Sequence, residues 1–165
     1  RNKTYICFDA DEDMNYYNLM KAWKENDKIA FNFHNAHEIN NLRDRSGEEQ
    51  VKKKLRERLT NTKVLIVLIG SKTKNLFKYV RWEIEWAIEN DVPIIAVNLN
   101  NTKILDVNLC PPILKDKLAL HISFNQKIMN LALNSWPNNF KKHKKDGKTG
   151  AFYYPEEIYE RTLKN

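Results

Sequence analysis

The chain has 165 residues, 42% hydrophobic and 30% charged, with a formal net charge of +7; that is the length and make-up of one soluble domain with a substantial core. Its four glycines, Gly47, Gly70, Gly147 and Gly150, cannot be written into a GxGxxG or GxxxxGK[ST] loop, which argues against backbone cradling of a pyrophosphate by a glycine-rich turn. No apolar run approaches a membrane span and no signal-like start is seen, so no membrane partner is expected.

Cys7 in a predicted strand and Cys110 before Pro111-Pro112 read as unpaired thiols of a reducing, cytoplasmic compartment. Arg1 in place of Met predicts a short piece ahead of it. The positive charge invites a nucleic-acid reading. Much of the lysine, however, falls in Lys52-Lys53-Lys54 and in a predicted loop, Lys141-Lys142-His143-Lys144-Lys145, without interleaved aromatics. Both read as solvated faces, and no nucleic-acid partner is expected.

In chain order, Thr4 to Phe8 reads as a strand buried on both faces, ending in the acidic loop Asp9-Ala10-Asp11-Glu12-Asp13. Asp13 or Asn15 is expected to cap a helix whose core face is Tyr16, Leu19, Met20 and Trp23. Ile29 to His34 alternates as a half-exposed strand near a sheet edge. A polar loop from His34 to Gly47 follows, long enough to suggest function, and Ser46 with Glu49 has the capping-box pattern for a helix from Glu48 to Leu59. Val64 to Ile69 is the central strand. Gly70-Ser71-Lys72-Thr73 is the turn after it, where Ser71 or Thr73 is expected to cap the next helix. Pro93 to Val97 is the fourth strand, and Asn98 to Pro112 a long insertion. Leu118 to Ile122 is a last short strand. A helix through Ile128 to Leu133 is expected to end before Pro137, and Pro155 to Leu163 to form a terminal helix. This order predicts an α/β fold, a parallel sheet between helices. The site is then expected outside the carboxyl ends of the strands, at Phe8-Asp9-Ala10, Phe33-His34-Asn35, Gly70-Ser71 and Asn98-Leu99-Asn100.

The helix Tyr79 to Asn90, between the two most apolar strands, carries the most informative residue. At about 100° per residue, Phe77, Val80, Ile84, Ala87 and Ile88 share the core face. Glu85 falls on a charged flank with Lys78, Arg81 and Glu89. Glu83 falls on the opposite shoulder with Leu76, Tyr79 and Trp86, where a carboxylate is out of place unless it has a task or a partner.

Three segments together resemble the TIR-like domains of bacterial Thoeris anti-phage systems. They are Tyr5-Ile6-Cys7-Phe8-Asp9, Thr62 to Thr73, and Tyr79-Val80-Arg81-Trp82-Glu83-Ile84 with Ala87-Ile88 and Pro93 to Val97. The resemblance spans residues 4 to 98. It implies a single TIR-like domain over 1–165, with a core at 4–136 and a C-terminal extension at 137–165. The implied architecture is a flavodoxin-like three-layer sandwich with strand order 2-1-3-4-5. It implies an enzyme that breaks the nicotinamide–ribose bond of NAD as substrate, with no cofactor or metal, and makes a cyclic ADP-ribose isomer. Implied partners are an effector reached through that product, a phage-derived trigger, and further copies of the chain on activation. The catalytic glutamate of the family falls on Glu83, its preceding aromatic on Tyr79, and its first-strand aromatic on Phe8. Asp9 stands where some members carry a basic residue. His34 and Ser71 lie on the rim expected to meet substrate, and His34 opens the segment matching the family's mobile loop, of which Arg43 to Gly47 is an echo.

Other readings compete at particular residues. A response-regulator receiver would use Asp9, Asp11 and Asp13 to hold a metal, but it needs an Asp where this chain has Ile69-Gly70 and a Lys after Ile122; a capping loop is preferred. His34, His37 and Glu38 lack the spacing of a zinc site. Cys7 reads as a packed thiol rather than a nucleophile. A non-catalytic TIR-like interaction module is the main rival to an enzyme.

Overall fold

The computed structural model describes residues 3–26, 32–35 (backbone only), 47–76 and 78–164. Six strands form one parallel sheet: β1 (Lys3–Cys7), β2 (Asn32–Asn35), β3 (Thr62–Ile69), β4 (Ile94–Asn98), β5 (Ala119–Ser123) and β6 (Ala151–Tyr153). Their order is β2-β1-β3-β4-β5-β6. Helices α1 (Met14–Glu25), α2 (Glu48–Leu59), α3 (Tyr79–Glu89), α4 (Gln126–Lys145) and α5 (Glu156–Lys164) cover its faces. This is the three-layer α/β arrangement that alternating strands and helices impose.

β3 is the axis. Its residues Val64 to Ile69 are all almost completely buried, and it pairs with β1 on one side and β4 on the other. Alternation along the strands sorts the core into two halves. Ile6, Val64, Ile66, Leu68, Ile95 and Val97 pack under α1, α4 and α5. Tyr5, Cys7, Leu65, Val67, Ile69 and Ala96 pack under α2 and α3. Each buried Val, Leu or Ile among them contributes about 1.5–3 kcal/mol by leaving water. Asn61 (φ 68°) and Asp91 (φ 51°) make the left-handed turns from α2 into β3 and from α3 towards β4, a conformation short polar side chains tolerate.

Several expectations are corrected. α4 does not stop before Pro137 but runs through it to Lys145. Trp136 and Phe140 flank the proline at 2% and 6% exposure in the α1/α4/α5 core, and their burial outweighs the lost helical hydrogen bond. The predicted loop Lys141 to Lys145 is therefore the last turns of α4, and a boundary at 136/137 would cut that helix. β6, which had no signal in the sequence, pairs parallel with β5. Asp13 occupies the N-cap of α1 without a side-chain hydrogen bond. Gly47 is the N-cap of α2, while Ser46 lies outside the described residues, as do Ile29 to Phe31 of the expected second strand and residues 36–46 of the loop. Neither Ser71 nor Thr73 caps α3, whose N-cap position is Lys78.

Candidate active site

Glu83 lies in the second turn of α3 and is 4% exposed. Val80, Ile84 and Ala87 pin the helix to the sheet, which turns the Glu83 shoulder towards β1. There it meets Tyr5 and Cys7, which alternation puts on the same face of that strand at 0% and 1% exposure. The Cys7 thiol also lies 3.9 Å from the Val80 carbonyl oxygen in the first turn of α3. Burial pushes the Tyr5 phenol far above its usual range, and the charge and hydrogen bonding of Glu83 push it further. Burial and then Glu83 likewise push the Cys7 thiol well above its usual range. Both groups therefore stay protonated beside the Glu83 carboxylate. A buried carboxylate in an apolar wall beside a phenol and a thiol marks a candidate functional group.

Tyr79 begins α3 half-buried, its ring edge-on to Trp82 at 5.4 Å. His34 is placed by strand register: its Cα is paired with that of Tyr5. A cleft of about 60 Å³ opens beside the first turn of α3, among Thr73, Leu76, Val80 and Pro111 to Ile113. Glu83 is not part of its lining.

The rim at the ends of β1 and β3 is acidic and internally bonded. Asp9, 5% exposed, accepts the N–H groups of Asp11 at 3.0 Å and Glu12 at 3.3 Å, so its side chain shapes the loop. The Asp13 carboxylate rests against Gly70, where an added Cβ would come within 2.3 Å of its Oδ2. Burial, with Asp9 and Glu12 nearby, pushes Asp13 up to about 6. Glu12 pairs with Lys72 at 3.0 Å. Thr73 accepts from the Gly70 N–H at 2.9 Å and donates to the Leu68 carbonyl at 3.2 Å, tying down the turn after β3. Among the described residues, no three or more His, Cys, Asp or Glu side chains are grouped to hold a metal ion.

Of the residues singled out in the sequence, Glu83 and Tyr79 share α3 and the face of the sheet covered by α2 and α3. Phe8 does not join them: it stacks on Tyr17 of α1 at 5.0 Å, in the core on the opposite face. Ser71 is exposed in the turn after β3. Sequence reading missed Tyr5 and took Cys7 only as packing. The signal lay in strand alternation, which puts residues 5 and 7 on one face, but it becomes visible only once α3 is known to cover that face.

The family model described as the Thoeris protein ThsB, TIR-like domain, matches residues 5–104. The match is more than half of the 165 residues and takes in Tyr5, Cys7 and Glu83 together. The matched residues contain all three segments that carry the resemblance, Tyr5 to Asp9, Thr62 to Thr73 and Tyr79 to Val97. The chain belongs to the TIR-like domain family of the Thoeris defence protein ThsB.

Proposed function

We propose that this TIR-type defence protein cleaves the nicotinamide–ribose bond of NAD and joins the freed ribose to the adenosine half, making a cyclic ADP-ribose isomer that signals to a partner effector. The observation that carries the reading is the buried Glu83 carboxylate with protonated Tyr5 and Cys7 against it. In the reaction, the bond from the ribose C1′ to the pyridinium nitrogen breaks and its electron pair leaves with nicotinamide. That departure neutralises the ring, so no general acid is needed. The ribose passes through an oxocarbenium-like state, as in glycoside cleavage. A fixed carboxylate beside it stabilises the developing positive charge and orients the ribose hydroxyls. Tyr5 and Cys7 hold the carboxylate in place. Tyr79, Asp9, His34 and Ser71 are the groups proposed to meet the substrate, and Phe8 to close the end of β1 behind it. Shielding from water lets the adenosine half capture the ribose first.

The test is incubation of the purified protein with NAD, alone and with phage-infected cell extract, with products separated by mass. The reading predicts nicotinamide together with a nucleotide one water lighter than ADP-ribose. Equimolar ADP-ribose without the lighter species would remove the cyclisation; no nicotinamide under either condition would favour a module that only binds partners.

A further inference from the structure

The rim where β4 and β5 begin carries a hollow of about 330 Å³, at the opposite end of the strands from the β1 and β3 termini. Its floor is apolar: Val92, Ile94, Leu118 and Phe140 are 7%, 2%, 8% and 6% exposed. Its rim is basic, with Lys117, Lys144 and Lys148 around the opening. Two features hold the lysines there. α4 ends in a Schellman turn, in which Gly147 (φ 74°) donates to the Lys144 carbonyl at 3.1 Å and Lys148 to the His143 carbonyl at 2.9 Å. The Thr149 hydroxyl then donates to the Asp116 carbonyl at 3.1 Å, fastening this turn to the residues before β5. Because these two helix-end carbonyls are already bonded, they do not face the opening as bare acceptors. Asp91 pairs with Lys144 at 3.0 Å, whereas Lys117 and Lys148 have no acidic partner among the described residues.

We propose that this hollow binds a mononucleotide, with its base on the apolar floor and its phosphate between Lys117, Lys148 and Lys144. The volume is that of a compact organic ligand, and pockets for such ligands combine an apolar lining with a few convergent polar groups. Three flexible ammonium groups suit a phosphate as point charges. The site is separate from Glu83 and does not depend on the reaction proposed there.

The experiment is isothermal titration of the full chain with ADP as the probe. Saturable binding at one site is expected. Lys117→Glu and Lys148→Glu should each weaken it by about tenfold or more, while Lys53→Glu on α2, outside the lining of the hollow, leaves it unchanged and inorganic phosphate competes far less well than ADP. Melting curves of the two charge-reversal variants confirm that they fold, and Lys148→Gln, which removes charge without reversing it, should weaken binding by less. The proposal is overturned if ADP does not bind, if both charge reversals leave its affinity unchanged, or if phosphate competes as well as ADP. It is also overturned if the lysines retain phosphatidylserine vesicles while ADP goes unbound.

Discussion

Tyr5 puts a buried hydroxyl beside the Glu83 carboxylate, and that group separates catalytic positioning from mere packing. Tyr5→Phe keeps the ring in the core and removes only the donor. Because the buried hydroxyl makes no hydrogen bond in the structure, stability should change by no more than about 1 kcal/mol. Turnover of NAD should fall about tenfold to a hundredfold with KM little altered, as steady-state kinetics would show; unchanged turnover would make Tyr5 a packing residue only. Gly70 offers a second local test. Its missing Cβ leaves room for Asp13, so Gly70→Ala should displace that carboxylate and lower the melting temperature. Glu83 stood out in the sequence because helical periodicity set it beside aromatics rather than among charges. Tyr5 did not, because a tyrosine in a buried strand looks like any other core aromatic until the helix above it is placed. Phe8 was misjudged in its neighbours for the same reason: alternation separates it from Cys7 by one face of the sheet.

At the scale of elements, α4 shows how packing overrides local preference. Pro137 lies inside the helix, where it costs a hydrogen bond and strains the preceding turn. Pro137→Ala should therefore raise stability, by about 1–3 kcal/mol in chemical denaturation, if the flanking Trp136 and Phe140 keep their places. Gly147→Ala should act the other way and cost about 1 kcal/mol, because its positive φ rather than any clash sets the penalty. The strands β1, β3, β4 and β5 were legible because buried parallel strands are continuous apolar runs. The end of α4 was not legible, because proline is the strongest helix-stop signal and only the tertiary burial of its neighbours cancels it. β6 was not legible either: Ala151 to Tyr153 is three residues long, too short for any periodicity, and exists because Tyr153 and Phe152 pack beside His121 and Trp136.

Over the whole molecule, two buried groups pull the pH dependence of stability in opposite directions. His121 on β5 is 0% exposed, and burial lowers it from the usual 6.5 to about 4. The unfolded chain takes up that proton first, so the contribution is intact above pH 6.5 and is lost as pH falls through 4, on the order of 3 kcal/mol in all. Asp13 is raised from 3.8 to about 6, so its contribution is full below pH 3.8 and is lost as pH rises through 6. His121→Phe should flatten the fall in melting temperature between pH 6.5 and 4, and Asp13→Asn should raise the melting temperature at pH 7; curves parallel to the unsubstituted protein would contradict both assignments. The family, and with it the defence context, rests on residues 5–104 as a unit, while the chemistry rests on one side chain. The most direct measurement is nicotinamide released from NAD by the intact protein and by Glu83→Gln, side by side, with phage-infected extract present. The account predicts release by the first and none by the second, with matching melting curves. Equal release by both would contradict it.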